Sequence, residues 1–279
     1  MLNALTIDIE DYYHVSAFEP YIDRREWEFI PSRVEESSNR ILDILDNYGC
    51  KATFFILGHV AKKKPGLVRK IHEKGHEIAC HGYSHKLAYK MSPVEFRADV
   101  RKAKSVLEDA IGERVEGFRS TSFSIVESNL WCLDILIEEG FIYDSSIFPV
   151  RHASYGIPDW QPYPHSISRN GSVIYELPPS TINLFRNRFP IAGGAYLRFF
   201  PLSFIAGGIR KLNRSESQSA VIYLHPWELD KEQPRLKVKK LTEIRHYAGI
   251  GKLEDKFTAL LGEFSFGTAC DVIKNTLAC

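Results

Sequence analysis

Short apolar runs alternate along the chain with longer stretches in which apolar residues recur at helical spacing. Ala4 to Ile9 reads as a strand, and Lys51 to Leu57 as a buried one by its unbroken apolar run. His76 to Cys80, Val115 to Phe118, a segment starting at Phe141 to Tyr143, Val173 to Leu177 and Ala220 to Leu224 extend the strand series. Between them, Val34 to Tyr48 places Ile41, Leu42, Ile44 and Leu45 at helical spacing, and Val60 to Lys74 reads as a helix with Pro65 in its early part. Pro93 to Ile111 is predicted as a long helix, with Ser92 as N-cap and Pro93 at the first helical position. Ser128 to Glu139 is predicted as a helix ending at Gly140. Val150 to Ser172, rich in Pro, His, Tyr and Ser and without a period, reads as a long loop or insertion of the kind that borders sites. Leu241 to Cys279 holds one or two amphipathic helices, with Leu253, Phe257, Leu260 and Leu261 on one face.

This β/α alternation predicts an α/β fold with a largely parallel sheet covered by helices. About seven β/α units fit the 279 residues, so the expectation is one domain over residues 1–279. Its core would run from about residue 4 to 230, with a C-terminal helical extension over about 235–279.

Composition narrows the function classes. Hydrophobic residues at 44% and charged residues at 25% are a globular balance able to bury a sizeable core. A formal net charge of +1 leaves no global field to recruit nucleic acid or an anionic membrane. The short lysine runs at Lys62–Lys64 and Lys237–Lys240 read as solvated surface. Cys50, Cys80, Cys132, Cys270 and Cys279 are odd in number, scattered and without a CxxC, which fits a reducing compartment. Cys80 is read as a small buried hydrophobe rather than a ligand. The N-terminus has no basic region before its first acids, and no run of 18 apolar residues occurs, so a cytoplasmic protein without signal peptide or spanning helix is expected. The apolar segment Arg198–Gly208 is short; core or groove packing is the preferred reading, with a peripheral membrane contact left open.

Chemistry-bearing residues fall after predicted strands. Asp8, Glu10 and Asp11 follow the first, His81 and His85 the third, then Arg119, Asp144 and finally His225. In barrels of parallel strands, functional groups gather at the C-terminal strand ends. Histidines at i and i+4 can face one way on a helical turn, and imidazole suits Zn, Fe, Ni or Co. A carboxylate beside them completes a two-histidine, one-carboxylate site with open coordination positions.

Several motifs carry a resemblance to the polysaccharide deacetylase (NodB-homology, carbohydrate esterase family 4) superfamily. Thr6-Ile7-Asp8-Ile9-Glu10 resembles its first acidic motif, His81-Gly82-Tyr83-Ser84-His85 its HxxxH metal motif, and Gly117-Phe118-Arg119-Ser120 its arginine motif. Tyr143-Asp144-Ser145-Ser146 and Leu224-His225-Pro226-Trp227-Glu228 are similar to its later segments. DIEDYYH, HPWE and Arg245-His246-Tyr247 resemble the subgroup found in bacterial exopolysaccharide and O-antigen gene clusters.

The resemblance implies a distorted (β/α)7-type barrel and hydrolysis of N-acetyl groups on amino sugars of a polysaccharide or its precursor. It implies one divalent transition metal, zinc first, with Co, Ni, Fe or Mn as alternatives, held by His81, His85 and Glu10, with Asp11 as the alternative carboxylate. Asp8 would be the general base and His225 the general acid. Arg119 would orient Asp8 through a bidentate pair, and Asp144 would pair with Arg119. Backbone NH groups near Tyr83 or Ser120 would stabilise an oxyanion, and Leu224 and Trp227 would shape an acetyl pocket. Tyr12, Tyr13, Phe123, Trp160 and Tyr163 are candidate sugar platforms. Two departures stand out: Asp8-Ile9-Glu10-Asp11 replaces an adjacent Asp-Asp, and Thr121 occupies a position usually held by proline. The alternative readings are an amidase or deformylase on another C–N bond, such as a cyclic ureide or a lipid-linked amino sugar, and a catalytically impaired carbohydrate-binding protein.

Overall fold

The computed structural model describes residues 1–184 and 187–276; Cys279 lies outside the described residues. β1 (Asn3–Ile9) is buried at every position, as expected of a strand covered on both faces. Its alternate residues divide between two environments. Leu5, Ile7 and Ile9 pack into the main core, while Ala4 joins Phe55, Ala79, Tyr143 and Val221 in a smaller cluster on the opposite face. Thr6 and Asp8 therefore share the face of Ala4, which is the face the sheet curls around.

β2 (Thr53–Ile56), β3 (Glu77–Cys80), β4 (Gly117–Phe118), β5 (Tyr143–Asp144) and β7 (Ser172–Glu176) follow β1 in parallel register, and β10 (Val221–Leu224) flanks its other edge. The order β10-β1-β2-β3-β4-β5-β7 makes a curled run of seven parallel strands. β6 (His165–Arg169) adds antiparallel to β7, and β11 (Phe266–Gly267) pairs with the start of β1. A separate hairpin joins β8 (Thr181–Leu184) to β9 (Asn187–Pro190). Among the described residues no ladder joins β7 to β10. The chain after β7 crosses this gap instead: Leu177 N donates to Asp144 O, Ser180 N to Val221 O, and Gly193 bridges to Tyr223. The fold is thus the expected distorted barrel, curled but incompletely closed.

The helices are α1 (Val34–Asn47), α2 (Gly58–Lys63), α3 (Pro65–Glu73), α4 (Pro93–Ile111), α5 (Trp131–Glu138), α6 (Ala195–Phe199), α7 (Leu202–Arg210), α8 (Lys240–Tyr247), α9 (Ile250–Glu263) and α10 (Ala269–Thr276). α4 starts as expected, with Ser92 and Glu95 forming a reciprocal capping box. The single helix expected over Val60–Lys74 is two, α2 and α3. Lys64 leaves helical geometry at φ −130°, ψ 55°, because a residue before proline is forced out of the α region, and Pro65 begins the next helix.

The loop expected over Val150–Ser172 contains β6, which turns into β7 through Asn170 (φ 50°) and Gly171 (φ 81°). Asn-Gly supplies the two positive φ values that a tight hairpin turn needs. Within Arg198–Gly208, Ile205 and Ala206 pack into the core, while Phe199 is left 48% exposed. In the tail, Leu253, Phe257, Leu260 and Leu261 are buried on α9 as expected, but among the described residues three helices and β11 occupy it rather than one or two helices. No helix among the described residues is long and apolar enough to cross a membrane.

Candidate metal centre

The polar face of β1 carries Thr6 and Asp8 to one end of the curled sheet, and Glu10 follows at the strand's exit. β3 ends in Cys80, whose side chain lies in the main core, so His81 turns the other way. His81 and His85 do not share a helical turn, contrary to the simplest reading of their spacing. Residues 81–87 form an irregular loop, with Gly82 at φ 70° and His85 at φ 54°. Asp99 on α4 fixes this loop by accepting from Tyr83 N at 2.7 Å and Ser84 N at 3.1 Å.

Glu10, His81 and His85 are buried and present ligand atoms that all lie within 4.8 Å of one another. His81 Nδ1 bonds the Arg119 carbonyl oxygen at 2.8 Å, so Nδ1 carries the proton and Nε2 keeps its lone pair for a ligand role. Glu10 Oε2 is buried without a hydrogen-bond partner and lies 2.5 Å from His85 Nε2. A carboxylate oxygen and an imidazole nitrogen crowded together in a buried pocket are the arrangement a cation resolves. Burial opposes the charge on Glu10, yet His85, His225 and His81 outweigh it and hold the carboxyl well below the usual range. Burial pushes His81 down, favouring the neutral imidazole that ligation requires. The donor set therefore fits a divalent transition ion.

Asp11 is not part of this cluster. Its carboxylate accepts from Ser32 Oγ and from the backbone NH of Tyr12, Arg33 and Val34, anchoring the start of α1. Asp8 lies beside the cluster. Arg119 Nη1 donates to Asp8 Oδ1 at 2.7 Å and to Thr6 Oγ1 at 2.8 Å, so the contact is through one nitrogen rather than a bidentate fork. The guanidinium is fully buried, 4.1 Å from the Phe55 ring centroid, with its remaining bonds to Ser145 O and Oγ.

Asp144 does not pair with Arg119. It accepts from Ser146 Oγ and faces Glu176 across the β5–β7 register. Burial raises both carboxyls, Glu176 well above the ordinary range, and such a pair retains a proton. The NH groups expected to stabilise an oxyanion are already engaged: Tyr83 N by Asp99, and Ser120 N by Ser146 Oγ at 2.7 Å. Leu224 lies in the main core. Trp227 stacks on His225, ring centroids 5.1 Å apart. Of the aromatic candidates, Tyr12, Tyr13 and Phe123 are buried, while Trp160 and Tyr163 are half-buried against the main core.

His225 Nε2 stands 3.2 Å from Glu10 Oε1 and 3.9 Å from Asp8 Oδ2, on the open side of the cluster. The sequence reading assigned no role to the group behind it. Glu228, fully buried, accepts from His225 N at 3.0 Å and bonds His225 Nδ1 at 2.8 Å. Arg198 Nε holds the other carboxylate oxygen at 2.7 Å and anchors itself on the carbonyls of Arg245, His246 and Ala248. Burial opposes a charge on His225, but Glu228, then Glu10 and Asp8, outweigh it and carry the imidazole up to about 9. The signal was present in His225-Pro226-Trp227-Glu228: a proline at the first helical position and an acid three residues after the histidine make a capping turn.

A curled parallel α/β sheet with a buried His–His–Glu cluster at its strand ends defines a metal-binding barrel protein. Comparison with known proteins agrees. Residues 27–129 match the family Polysaccharide deacetylase, and residues 145–274 match a Domain of unknown function (DUF3473). A peptidoglycan-N-acetylglucosamine deacetylase of Bacillus cereus is 36% identical over 95 residues, 34% of this chain and 34% of its own length. The chain thus spans about a third of that curated relative. Among solved structures, a Mycobacterium smegmatis protein described as a candidate polysaccharide deacetylase superposes over 99% of this chain and 90% of its own, with TM-score 0.64 and 18% identity. Puue allantoinase superposes over 99% and 90%, with TM-score 0.63 and 16% identity; at this identity the likeness of both is one of fold. Over residues 27–129 the chain is similar to the polysaccharide deacetylase family, and Glu10, His81 and His85 come together as a triad able to hold a metal ion.

Proposed function

We propose that this chain removes N-acetyl groups from amino sugars of a bacterial surface polysaccharide or its precursor, acting as one catalytic unit over its length. The observation that carries the reading is the buried Glu10–His81–His85 cluster flanked on its open side by Asp8 and His225. Two imidazoles and one carboxylate suit a divalent transition ion, zinc first among the candidates. Held there, it supplies Lewis acidity for carbonyl polarisation and water activation. Asp8, oriented by Arg119, accepts the proton of the attacking water on a carboxylate oxygen. His225, its Nδ1 fixed by Glu228, delivers a proton from Nε2 to the departing sugar amine. The curated relative's substrate, N-acetylglucosamine in peptidoglycan, supports an N-acetylated sugar as the class. The DUF3473 match covers β10 and hence His225; assignment to the exopolysaccharide and O-antigen subgroup rests on the DIEDYYH and HPWE resemblance alone. Four cysteines are free among the described residues, in keeping with the cytoplasmic reading.

The test pairs metal analysis with an acetate-release assay on acetylated oligosaccharides and nucleotide- or lipid-linked amino sugars. Cyclic ureides and formylated sugars serve as counter-substrates. The expected result is roughly one divalent ion per chain and acetate release. His81→Ala with His85→Ala should lose both. Unchanged metal content in that double variant rejects the site, and turnover of a ureide or a formyl amide alone rejects the substrate class.

A further inference from the structure

The net charge of the whole chain is close to zero, but its distribution is uneven. The stretch Lys231–Arg245 holds six basic residues against two acidic ones. Lys237, Lys239 and Lys240 are exposed, and their side chains have no hydrogen-bond or ion-pair partner among the described residues. Apolar side chains stand with them. Leu241 and Ile244 lie three residues apart on the outward face of α8 and are 62% and 51% exposed. Phe199, 48% exposed, flanks the end of this helix: the Arg198 guanidinium lies 5.4 Å from the Phe199 ring and donates to the carbonyls of Arg245 and His246.

The other face of the same helix points toward the metal centre. His246 is buried, donates from Nε2 to Gln233 Oε1 (2.8 Å), and stacks on Trp227 with centroids 4.4 Å apart. Trp227 stacks in turn on His225. One short helix thus has basic and apolar groups outside and a ring stack leading to the site inside.

We infer that the α8 surface docks on an anionic phospholipid membrane, with Leu241, Ile244 and Phe199 entering the headgroup layer among lysines that meet the lipid charge. A basic patch alone would suit any polyanion. The exposed aliphatic side chains between the lysines select a partner with an apolar interior, since a dissolved acidic polymer offers them nothing to bury against. The ring stack to His225 then sets the metal centre beside the bilayer, within reach of an amino sugar carried on a membrane lipid. The docking surface itself stands on these residues and not on the reading of the reaction.

The test is flotation of the full chain with vesicles of phosphatidylcholine, alone or mixed with phosphatidylglycerol. The chain should float with the mixed vesicles at low salt and not with phosphatidylcholine alone. Replacing Lys237, Lys239 and Lys240 together by Glu should weaken vesicle affinity by on the order of 100-fold, and Leu241→Ser with Ile244→Ser by roughly 10-fold. Both variants should keep metal content and acetate release from a soluble acetylated oligosaccharide, which separates loss of docking from loss of folding or of the reaction. Absence of flotation, or flotation indifferent to both variants, overturns the inference. So does heparin binding that needs the lysines but not Leu241 or Ile244, in a chain that ignores vesicles. A chain that floats as expected yet releases no acetate keeps the surface and loses the reaction.

Discussion

Around Asp8 and His225, each functional group has one neighbour that sets its direction. Asp8 is aimed by Arg119, which is itself held by Thr6 and Ser145. His225 is aimed by Glu228, held by Arg198. The consequences differ for the two. Asp8→Asn keeps the shape and should leave metal bound while turnover falls on the order of 100-fold or more; acetate release measured beside metal content checks this. Glu228→Gln keeps one acceptor for His225 Nδ1 but removes its charge. It should lower kcat by roughly 10–100-fold with little change in KM or bound metal. Glu228→Asp, which restores the charge on a shorter arm, should recover part of the loss, and an unchanged kcat in Glu228→Gln would leave Glu228 a merely structural acid.

At the scale of elements, stability depends on a few close approaches. A Cβ added to Gly193 would lie 1.6 Å from the Tyr223 carbonyl oxygen, where the chain crosses to β10. Gly193→Ala should therefore cost about 1–3 kcal/mol, read as a lowered urea midpoint. Ser92→Ala removes the capping box of α4 and should cost about 1 kcal/mol by the same measurement.

Elements were legible where local chemistry decided them. Ser92-Pro93 marks the start of α4, and the apolar runs mark β1 and β2. They were obscured where two cues competed. Pro65 read as an interruption within a helix is a boundary between two, and the polar composition of 150–172 hid an Asn-Gly hairpin. The site followed the same division. His81, His85, Arg119 and His225 stand out because ligand and charge types follow strand ends. Glu228 and Asp99 do not, because their roles arise from hydrogen bonds made only once helices and loops have packed. The engagement of Tyr83 N and Ser120 N could not be read from spacing at all, since it depends on which side chains the fold brings to them.

For the whole molecule, buried histidines set the response to acid. Burial, followed by nearby positive charge, holds His76 down to about 4 and His246 down to about 3 from an ordinary 6.5. A group with a depressed folded value contributes stability that is full above 6.5 and is lost as pH falls through that value toward the folded one. The chain should therefore lose stability progressively below about pH 6.5. In His76→Gln with His246→Gln the stability difference from the parent chain, followed by urea midpoints, should narrow as pH falls. A difference that stays constant across that range would remove these two histidines from the acid response.

Finally, β1 lies between β2 and β10, so Glu10 belongs to the beginning of the chain and His225 to its last third. As the polypeptide leaves the ribosome, Glu10, His81 and His85 are all present long before residue 221 is made. One edge of β1 stays unpaired throughout that interval. On the proposed roles, a nascent chain would have its ion ligands early, whereas His225, the proposed proton donor, arrives only when the open edge is closed. On the proposed mechanism, capture of the metal and competence for turnover would be separate events in the protein's own synthesis, and the strand that ends the exposure of β1 would also complete the reaction centre.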